Sequence, residues 1–130
     1  MEYSIDQKDL DEIETVLQDD LMRIGVHCAI LIDLAGNIIV SLDTGNKRHD
    51  IYSLAALAAG NFGAVNEMAR MVGEEDFSLL FHKGKKGNIH FSKVSDDFLL
   101  VTTFGEDISL GFLRLKVNEA IEKITKTISD

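Results

Sequence analysis

The segment at about residues 50–72 has the spacing of a long helix that is apolar or small on both of its sides. At about 100° per residue, the spacing places an apolar stripe on one side, which we predict to pack on the core. Its residues are Leu54, Leu57, Ala58, Phe62, Val65, Met68, Ala69 and Val72. A lone surface helix would carry Lys and Glu on its other side. Here that side holds mostly small residues: Ala56, Ala59, Gly60, Gly63, Glu67, Arg70 and Met71.

Two glycines in this helix indicate what its second side meets. Glycine within a helix costs about 0.5–1 kcal/mol relative to alanine, and both Gly60 and Gly63 are interior. Small residues spaced four apart let another backbone come close, which offsets that cost. We therefore expect this side to contact a second surface. The alternatives are that it packs beneath a loop of its own domain, or that it is an alanine-rich solvated face.

Length and charge narrow the class of protein. The 130 residues predict a single domain spanning residues 1–130. A net charge of −9 argues against a nucleic-acid partner, which usually requires a basic stripe. No apolar run approaches the roughly 18 residues of a membrane span, and the acidic, polar start is unlike a signal peptide. With a single cysteine, Cys28, these features predict a cytoplasmic protein without membrane insertion.

The first half of the chain predicts a helix, a hairpin and the long helix. Apolar residues at helical spacing indicate a first helix at about residues 5–24, capped either by Ser4 with Gln7 or by Asp6. The hairpin follows, with strands at about 26–34 and 37–42 around the turn Ala35-Gly36-Asn37. For the long helix, the candidate caps are Asp50 or Ser53 at its start and Gly73 at its end.

The second half predicts three strands and a final helix. A strand at about residues 77–83 and its partner flank a turn at Gly84–Gly87. A three-residue loop with Gly87 at positive φ would set two cross-strand pairs: Phe81 with Phe91, and His82 with His90. A further strand lies in DDFLLVTTFG, and the last helix begins near Ser109.

The order of elements predicts the fold class. Strands joined by tight turns are antiparallel, so the order α-β-β-α-β-β-β-α predicts an α+β fold. Its two groups of strands complete one five-stranded antiparallel sheet flanked by three helices.

The sequence offers little chemistry of its own, and we predict no catalytic residue, cofactor or metal. The turn Gly84–Gly87 lacks the spacing of a phosphate-binding loop. The lysines around it, Lys83, Lys85 and Lys86, suit a soluble hairpin tip better than an anion site. His82 and His90 have no evident third ligand, which favours surface histidines over a metal pair. Cys28 lies in an apolar run and is expected to be an inert buried thiol.

Several segments taken together resemble a known family. They are Gly25-Val26 after the first helix, the strand ending Ile32-Asp33 with its Ala35-Gly36-Asn37 turn, the Ala/Gly-rich second helix, the Gly84–Gly87 hairpin, the strand LLVTTF, and Ser109-Leu110-Gly111. From about Leu10 to Ile124 the chain resembles the Roadblock/dynein light chain family, and within it the bacterial MglB-like branch. No single catalytic signature defines that family, so the order of elements carries the resemblance.

The resemblance implies a function. Family members form dimers in which the second helices lie side by side and edge strands join two sheets into one. They bind small Ras-like GTPases, and MglB-like members resemble activators of a GTPase of cell polarity and motility. These activators rearrange the GTPase's own loops rather than supply a side chain. The protein would then be no enzyme itself but a homodimer that binds the GTPase in its GTP form.

Carried onto this chain, the resemblance gives a set of interface residues: Ala56, Ala59, Gly60, Gly63, Glu67 and Arg70 on the second helix, and Phe77, Leu79 and Phe81 on the edge strand. No position distinguishes an activator from an exchange factor. Two other functions stay open. One is a dimeric scaffold or adaptor that leaves nucleotide turnover unchanged, and the other is a small-ligand sensor, because fold alone does not fix function.

Overall fold

The computed structural model describes residues 5–44, 50–74 and 79–129. Its elements follow the predicted order: α1 Gln7–Asp20, β1 Cys28–Asp33, β2 Ile38–Asp43, α2 Ile51–Met71, β3 Leu79–Lys83, β4 Asn88–Lys93, β5 Phe98–Phe104 and α3 Leu110–Ser129. The five strands form one sheet in the order β2-β1-β5-β4-β3, and every neighbouring pair is antiparallel. The predicted fold class is confirmed.

The sheet separates two groups of buried side chains. On one face, α1 and α3 pack together over alternate residues of the strands, such as Ala29, Leu31 and Leu100. On the other face, α2 covers the intervening residues, among them Ile30 and Val101. Side chains alternate between the two faces along each strand, so the central strand β5 is buried on both faces over its whole length.

The first helix begins at Asp6 and is shorter than predicted. The Asp6 carboxylate accepts a hydrogen bond from the Asp9 backbone N–H at 2.9 Å, and the Asp9 side chain accepts one from the Asp6 backbone N–H at 3.2 Å. The alternative cap, Ser4, lies outside the described residues. The helix ends at Asp20, and a 3₁₀ turn leads to Gly25, whose φ of 105° suits glycine.

The turn between β1 and β2 is fixed by Asp33 and lies against α2. One Asp33 carboxylate oxygen accepts from the backbone N–H groups of Ala35 and Asn37 at 3.0 and 2.9 Å. Partial burial raises the pKa of Asp33, but hydrogen bonds from Asn37 and the turn backbone outweigh this, and the net pKa is lowered. At Gly36, whose φ is +91°, a Cβ would lie 3.1 Å from the Ala56 Cα. Only glycine fits there without strain.

The predicted register of the second hairpin is wrong by one residue. Phe81 pairs with His90, and His82 pairs with Ile89. The turn contains four residues rather than three, closed by a hydrogen bond from the Gly84 N–H to the Gly87 carbonyl at 2.9 Å. Gly87 is not among the glycines with positive φ. A one-residue slip exchanges the faces of a strand, so His82 and His90 lie on opposite sides of the sheet and do not form a pair.

Candidate protein interface

The second helix has a well-defined start. The Asp50 carboxylate accepts hydrogen bonds from the Ser53 backbone N–H at 3.1 Å and from the Ser53 hydroxyl at 2.8 Å. The hydrogen bond from the Ser53 backbone is the main reason that the pKa of Asp50 is lowered. At the other end Gly73 follows the helix with a φ of +88°. Asp50 and Gly73 are thus confirmed as the residues that bound α2.

The side of α2 that faces the sheet is made mainly of alanine. Its buried residues are Ala55, Ala58, Ala59, Phe62 and Ala69. They pack on a group of strand residues that includes Cys28, Ile30, Phe91 and Leu99. Ala59 is only 9% exposed, so its predicted place on the outer side of α2 is wrong. Small inward side chains bring the helix close to the sheet and leave less space for larger ones.

The larger apolar residues of α2 and its C-cap face outward instead. The exposed fractions are 81% for Tyr52, 72% for Leu57, 57% for Met68, 79% for Met71 and 75% for Val72. The prediction that Leu57, Met68 and Val72 pack on the core is therefore wrong. Large exposed apolar patches on a folded protein mark interaction sites. Within the described ranges, α2 and its C-cap carry most of the exposed large apolar side chains.

A strip of small residues runs along the middle of this outer face. Ala56, Gly60, Gly63 and Ala64 are all exposed. A Cβ atom built on Gly60 or on Gly63 would meet nothing within 4 Å. Packing among the described residues therefore does not require glycine at either position, and no described loop covers Gly60 or Gly63. We call the strip and the apolar residues beside it, Tyr52, Leu57, Met68 and Met71, the outer face of α2.

One flank of α2 is directed toward the edge of the sheet at β3. The Asn61 side-chain nitrogen lies 3.4 Å from a ring nitrogen of His82 on β3. The His82 ring packs edge-on against Phe91, with centroids 5.7 Å apart. Leu57 and Met68 lie within about 40° of Asn61 around the helix axis, at 100° per residue. These two exposed apolar side chains therefore lie on the flank of α2 that faces β3.

The remaining predicted interface residues divide into three groups. Glu67 and Arg70 form an exposed ion pair on α2, which contributes at most about 1 kcal/mol. Phe81 lies on the α3 side of the sheet, where it stacks on Phe104 with centroids 6.1 Å apart, so it does not extend the outer face of α2. Phe77 and the side chain of Leu79 lie outside the described residues.

Two buried titratable groups lie away from this surface. Burial, and next the carboxylate of Asp43, raises the pKa of the Cys28 thiol to about 11, which agrees with the predicted inert thiol. Burial, and next the positive charge of Arg114, lowers the pKa of His90 to about 4. In the described ranges, no three His, Cys, Asp or Glu side chains come together as a metal site. Nor is any helix there long and apolar enough to cross a membrane.

Two cavities lie near one end of the sheet. A groove of about 450 Å³ is formed by the β3–β4 hairpin and the start of α3: Phe81, Lys83, Gly84, Asn88, Phe104, Glu106, Ile108, Ser109 and Leu110. A smaller pocket of about 260 Å³ lies below the start of α2: His27, Leu54, Gly87, Asn88, Ile89, Thr103 and Phe104. No sequence pattern predicts either cavity, because their walls come from segments far apart in the chain.

The fold has counterparts in known proteins. A family model described as the Roadblock/LC7 domain matches residues 12–104. The chain belongs to the Roadblock/LC7 domain family. This confirms the family that its order of elements resembles, and the match runs from within α1 to the end of β5.

Among solved structures, this Roadblock/LC7 protein is similar to three MglB proteins. The gliding protein MglB of Thermus thermophilus is 26% identical over 98% of this chain and 96% of that one, with a TM-score of 0.89. MglB of Myxococcus xanthus is 29% identical over 95% and 92%, with a TM-score of 0.86. An MglB with a tetrameric arrangement is 25% identical over 98% and 95%, with a TM-score of 0.90. These similarities confirm the resemblance to the MglB-like branch.

Proposed function

We propose that this chain forms a homodimer through α2 and acts as a GTPase-activating protein for a small Ras-like GTPase. The observation that carries the proposal is the outer face of α2, where exposed apolar side chains flank two glycines that packing among the described residues does not require. Family membership and the similarity to MglB proteins support the same function.

The proposed interface follows the geometry of α2. Its small-residue strip receives the second copy, because a helix with only alanine and glycine there allows a close approach. Exposed Leu57 and Met68 extend the contact toward β3. In this proposal the outer edge of β3 pairs with the outer edge of β3 in the second copy. We keep Phe77 and Leu79 as interface residues in this proposal on the basis of the sequence alone.

The proposed mechanism uses no catalytic group from this chain. A regulator shifts a GTPase between conformations only if it binds one of them more tightly. We propose that the dimer binds the GTP form and holds the GTPase's own catalytic loops in place. The sequence offers Arg48 and Arg70 as the arginines to test as inserted catalytic groups. Arg48 lies outside the described residues, and Arg70 is paired with Glu67 on α2.

The test begins with the partner. Immobilised protein is used to capture GTPases from the source cell with GTP present, and phosphate release by the purified GTPase is then measured with and without this protein. We expect faster hydrolysis, and no hydrolysis by this protein alone. Capture without faster hydrolysis would instead favour the scaffold function, and hydrolysis by this protein alone would contradict the proposal.

Matched glycine variants locate the interface. Gly63→Arg places a charged side chain on the outer face of α2, and Gly111→Arg does the same on the exposed side of α3, where a Cβ also meets nothing within 4 Å. We expect Gly63→Arg to give a folded monomer without stimulating activity, and Gly111→Arg to behave as the parent. Equal dimer masses for both variants by light scattering would contradict the α2 interface. Ala59→Arg does not test the interface, because Ala59 is buried and an arginine there would disturb the folding of the subunit itself.

A small-ligand sensor is the second candidate, favoured by the groove between the β3–β4 hairpin and α3. Its volume of about 450 Å³ falls in the range of small-molecule pockets, roughly 300–1,000 Å³. Native mass spectrometry of the purified protein tests this function. A small molecule that stays bound, and is lost when Phe81 is changed to Ala, would support it.

A further inference from the structure

The larger cavity, of about 450 Å³ between the β3–β4 hairpin and the start of α3, is called the hairpin groove below. Its floor is a row of side chains across three strands. Lys83 pairs with Asn88 across β3 and β4, and Asn88 pairs with Phe104 across β4 and β5. Directly paired residues share a face of the sheet, and Phe104 lies on the face that α1 and α3 cover. The groove is therefore on the opposite side of the sheet from α2.

The floor combines an apolar ring surface with one unpaired hydrogen-bond acceptor. Phe81 is only partly buried and stacks on Phe104. Asn88 is 8% exposed, and its side-chain nitrogen donates to the Phe104 carbonyl at 3.4 Å. The Asn88 side-chain oxygen is left without a hydrogen-bond partner among the described residues. Because buried polar groups in folded proteins are nearly always paired, this oxygen points to a ligand that carries a donor.

The walls of the groove carry charges of both signs. In the described lining, Lys83 on the hairpin supplies the positive charge and Glu106, before α3, supplies the negative one. The start of α3 adds to the positive side, because the first turn of a helix carries a partial positive charge and binds carboxylates. Ser109 caps that turn, its hydroxyl accepting from the Phe112 N–H at 3.2 Å. A ligand with one charge would face a wall of its own sign, whereas a zwitterion matches both walls.

We propose that the hairpin groove binds a free α-amino acid with an apolar side chain. Its carboxylate binds Lys83 and the start of α3, its ammonium group binds Glu106 with Asn88 as a further acceptor, and its side chain packs on Phe81. The proposal names the ligand of the small-ligand sensor and so rests on that second candidate function. Since the groove and α2 lie on opposite faces of the sheet, the amino acid and a second copy of the chain bind without competing.

The ligand class is tested by titration followed by NMR amide shifts. The probes are L-leucine and L-phenylalanine, together with two leucine analogues: 4-methylpentanoate, which lacks the ammonium group, and 3-methylbutylamine, which lacks the carboxylate. We expect shifts at residues 81–88 and 104–110, and binding of leucine about tenfold tighter than that of either analogue, the size of one lost charged hydrogen bond. Binding of neither amino acid, equal binding of leucine and its analogues, or shifts confined to other residues would overturn the proposal.

Charge-neutralising variants assign the two walls. Lys83→Met should weaken leucine about tenfold and leave the affinity for 3-methylbutylamine unchanged, because that analogue has no carboxylate. Glu106→Gln should weaken leucine to the same extent and leave 4-methylpentanoate unchanged. The matched controls are Lys85→Met on the same hairpin and Glu122→Gln on α3, two exposed residues outside the groove lining, and both should bind leucine as the parent does. Controls that weaken binding as much as the groove variants would overturn the proposal.

The measurements separate the possible failures. If native mass spectrometry finds a different small molecule that Phe81→Ala releases, and neither amino acid binds, this proposal is wrong while the sensor function stands. If nothing binds in the groove, the proposal and the sensor function fail together. Activation of a GTPase is decided by its own assay, because the titrations use this protein alone.

Discussion

His90 is a buried histidine whose ring has no hydrogen-bond partner among the described residues. It is 2% exposed on β4, and its pKa is lowered from 6.5 to about 4, first by burial and then by Arg114. The folded protein thus favours the neutral ring, whereas the unfolded chain takes up a proton near pH 6.5.

The stability of the protein should therefore fall as the pH drops. Because the folded pKa is the lower one, this contribution is complete above pH 6.5 and is lost between pH 6.5 and pH 4, to a total of roughly 3 kcal/mol. Urea unfolding measured across this range should show the loss. His90→Leu removes the titrating ring, so the difference between parent and variant isolates His90 from the carboxylates. An identical pH dependence in both proteins would contradict this prediction.

At the scale of elements, α2 shows both what the sequence predicts and where it fails. Its length, its cap at Asp50 and its end at Gly73 follow from local signals and are confirmed. The prediction of which side of α2 faces the sheet was partly wrong. Large apolar side chains are usually the buried ones, but here the small Ala59 is buried and the large Leu57 is exposed. Periodicity identifies an apolar stripe, but when both sides of a helix are apolar it does not tell which side meets the sheet.

The register of the second hairpin was predicted wrongly for a different reason. Its strands and its turn at Gly84–Gly87 were predicted, but the register depends on whether three or four residues form the loop. Backbone hydrogen bonding at Gly84 decides this, and no residue type in the turn reports it. Consequently the predicted pairs at His82 and Phe81 were wrong although both strands were found.

The glycines of α2 allow a prediction in which two effects oppose each other. Gly60→Ala with Gly63→Ala should raise the stability of the isolated subunit, since each alanine contributes about 0.5–1 kcal/mol to a helix. The added methyl groups should also separate the two helices and weaken the dimer about tenfold, a typical overpacking cost. Thermal unfolding at low concentration and sedimentation equilibrium measure the two effects separately.

Gly111→Ala is the control for that pair. It lies on α3 with equally open space at its Cβ, so it should stabilise the subunit and leave the dimer unchanged. A double α2 variant that dimerises as tightly as the parent would show that the strip does not receive a second backbone.

At the scale of the whole molecule, β3 is an outer strand of the sheet. An unpaired edge invites association with another chain, and we expect it to pair with β3 of the second subunit. Hydrogen exchange of the Leu79–Lys83 amides that point away from β4 should therefore be slow in the dimer and fast in monomeric Gly63→Arg. Fast exchange along the strand in both proteins would show that the sheet ends at β3.

Arg70 tests the proposed mechanism in the assembled complex. An inserted arginine finger typically contributes roughly 10³–10⁵ in rate. If the GTPase uses only its own catalytic groups, Arg70→Ala should lower stimulated hydrolysis only a few-fold, and saturating protein should restore most of it. Single-turnover hydrolysis at increasing protein concentration makes the measurement. A complete loss of stimulation with unchanged affinity would mean that this protein supplies the finger.

The packing of α1 on α3 joins the two ends of the chain. Lys123 on α3 donates to the Asp20 carboxylate of α1 at 2.9 Å across 103 residues of sequence, and Ile13 and Leu17 lie in the same cluster as Leu113 and Val117. A ribosome synthesises α1 before α3, which covers it. During synthesis the apolar side of α1 is therefore exposed until α3 has been made. A message truncated before α3 would yield a polypeptide in which one face of the sheet has lost part of its cover and is accessible to chaperones and proteases.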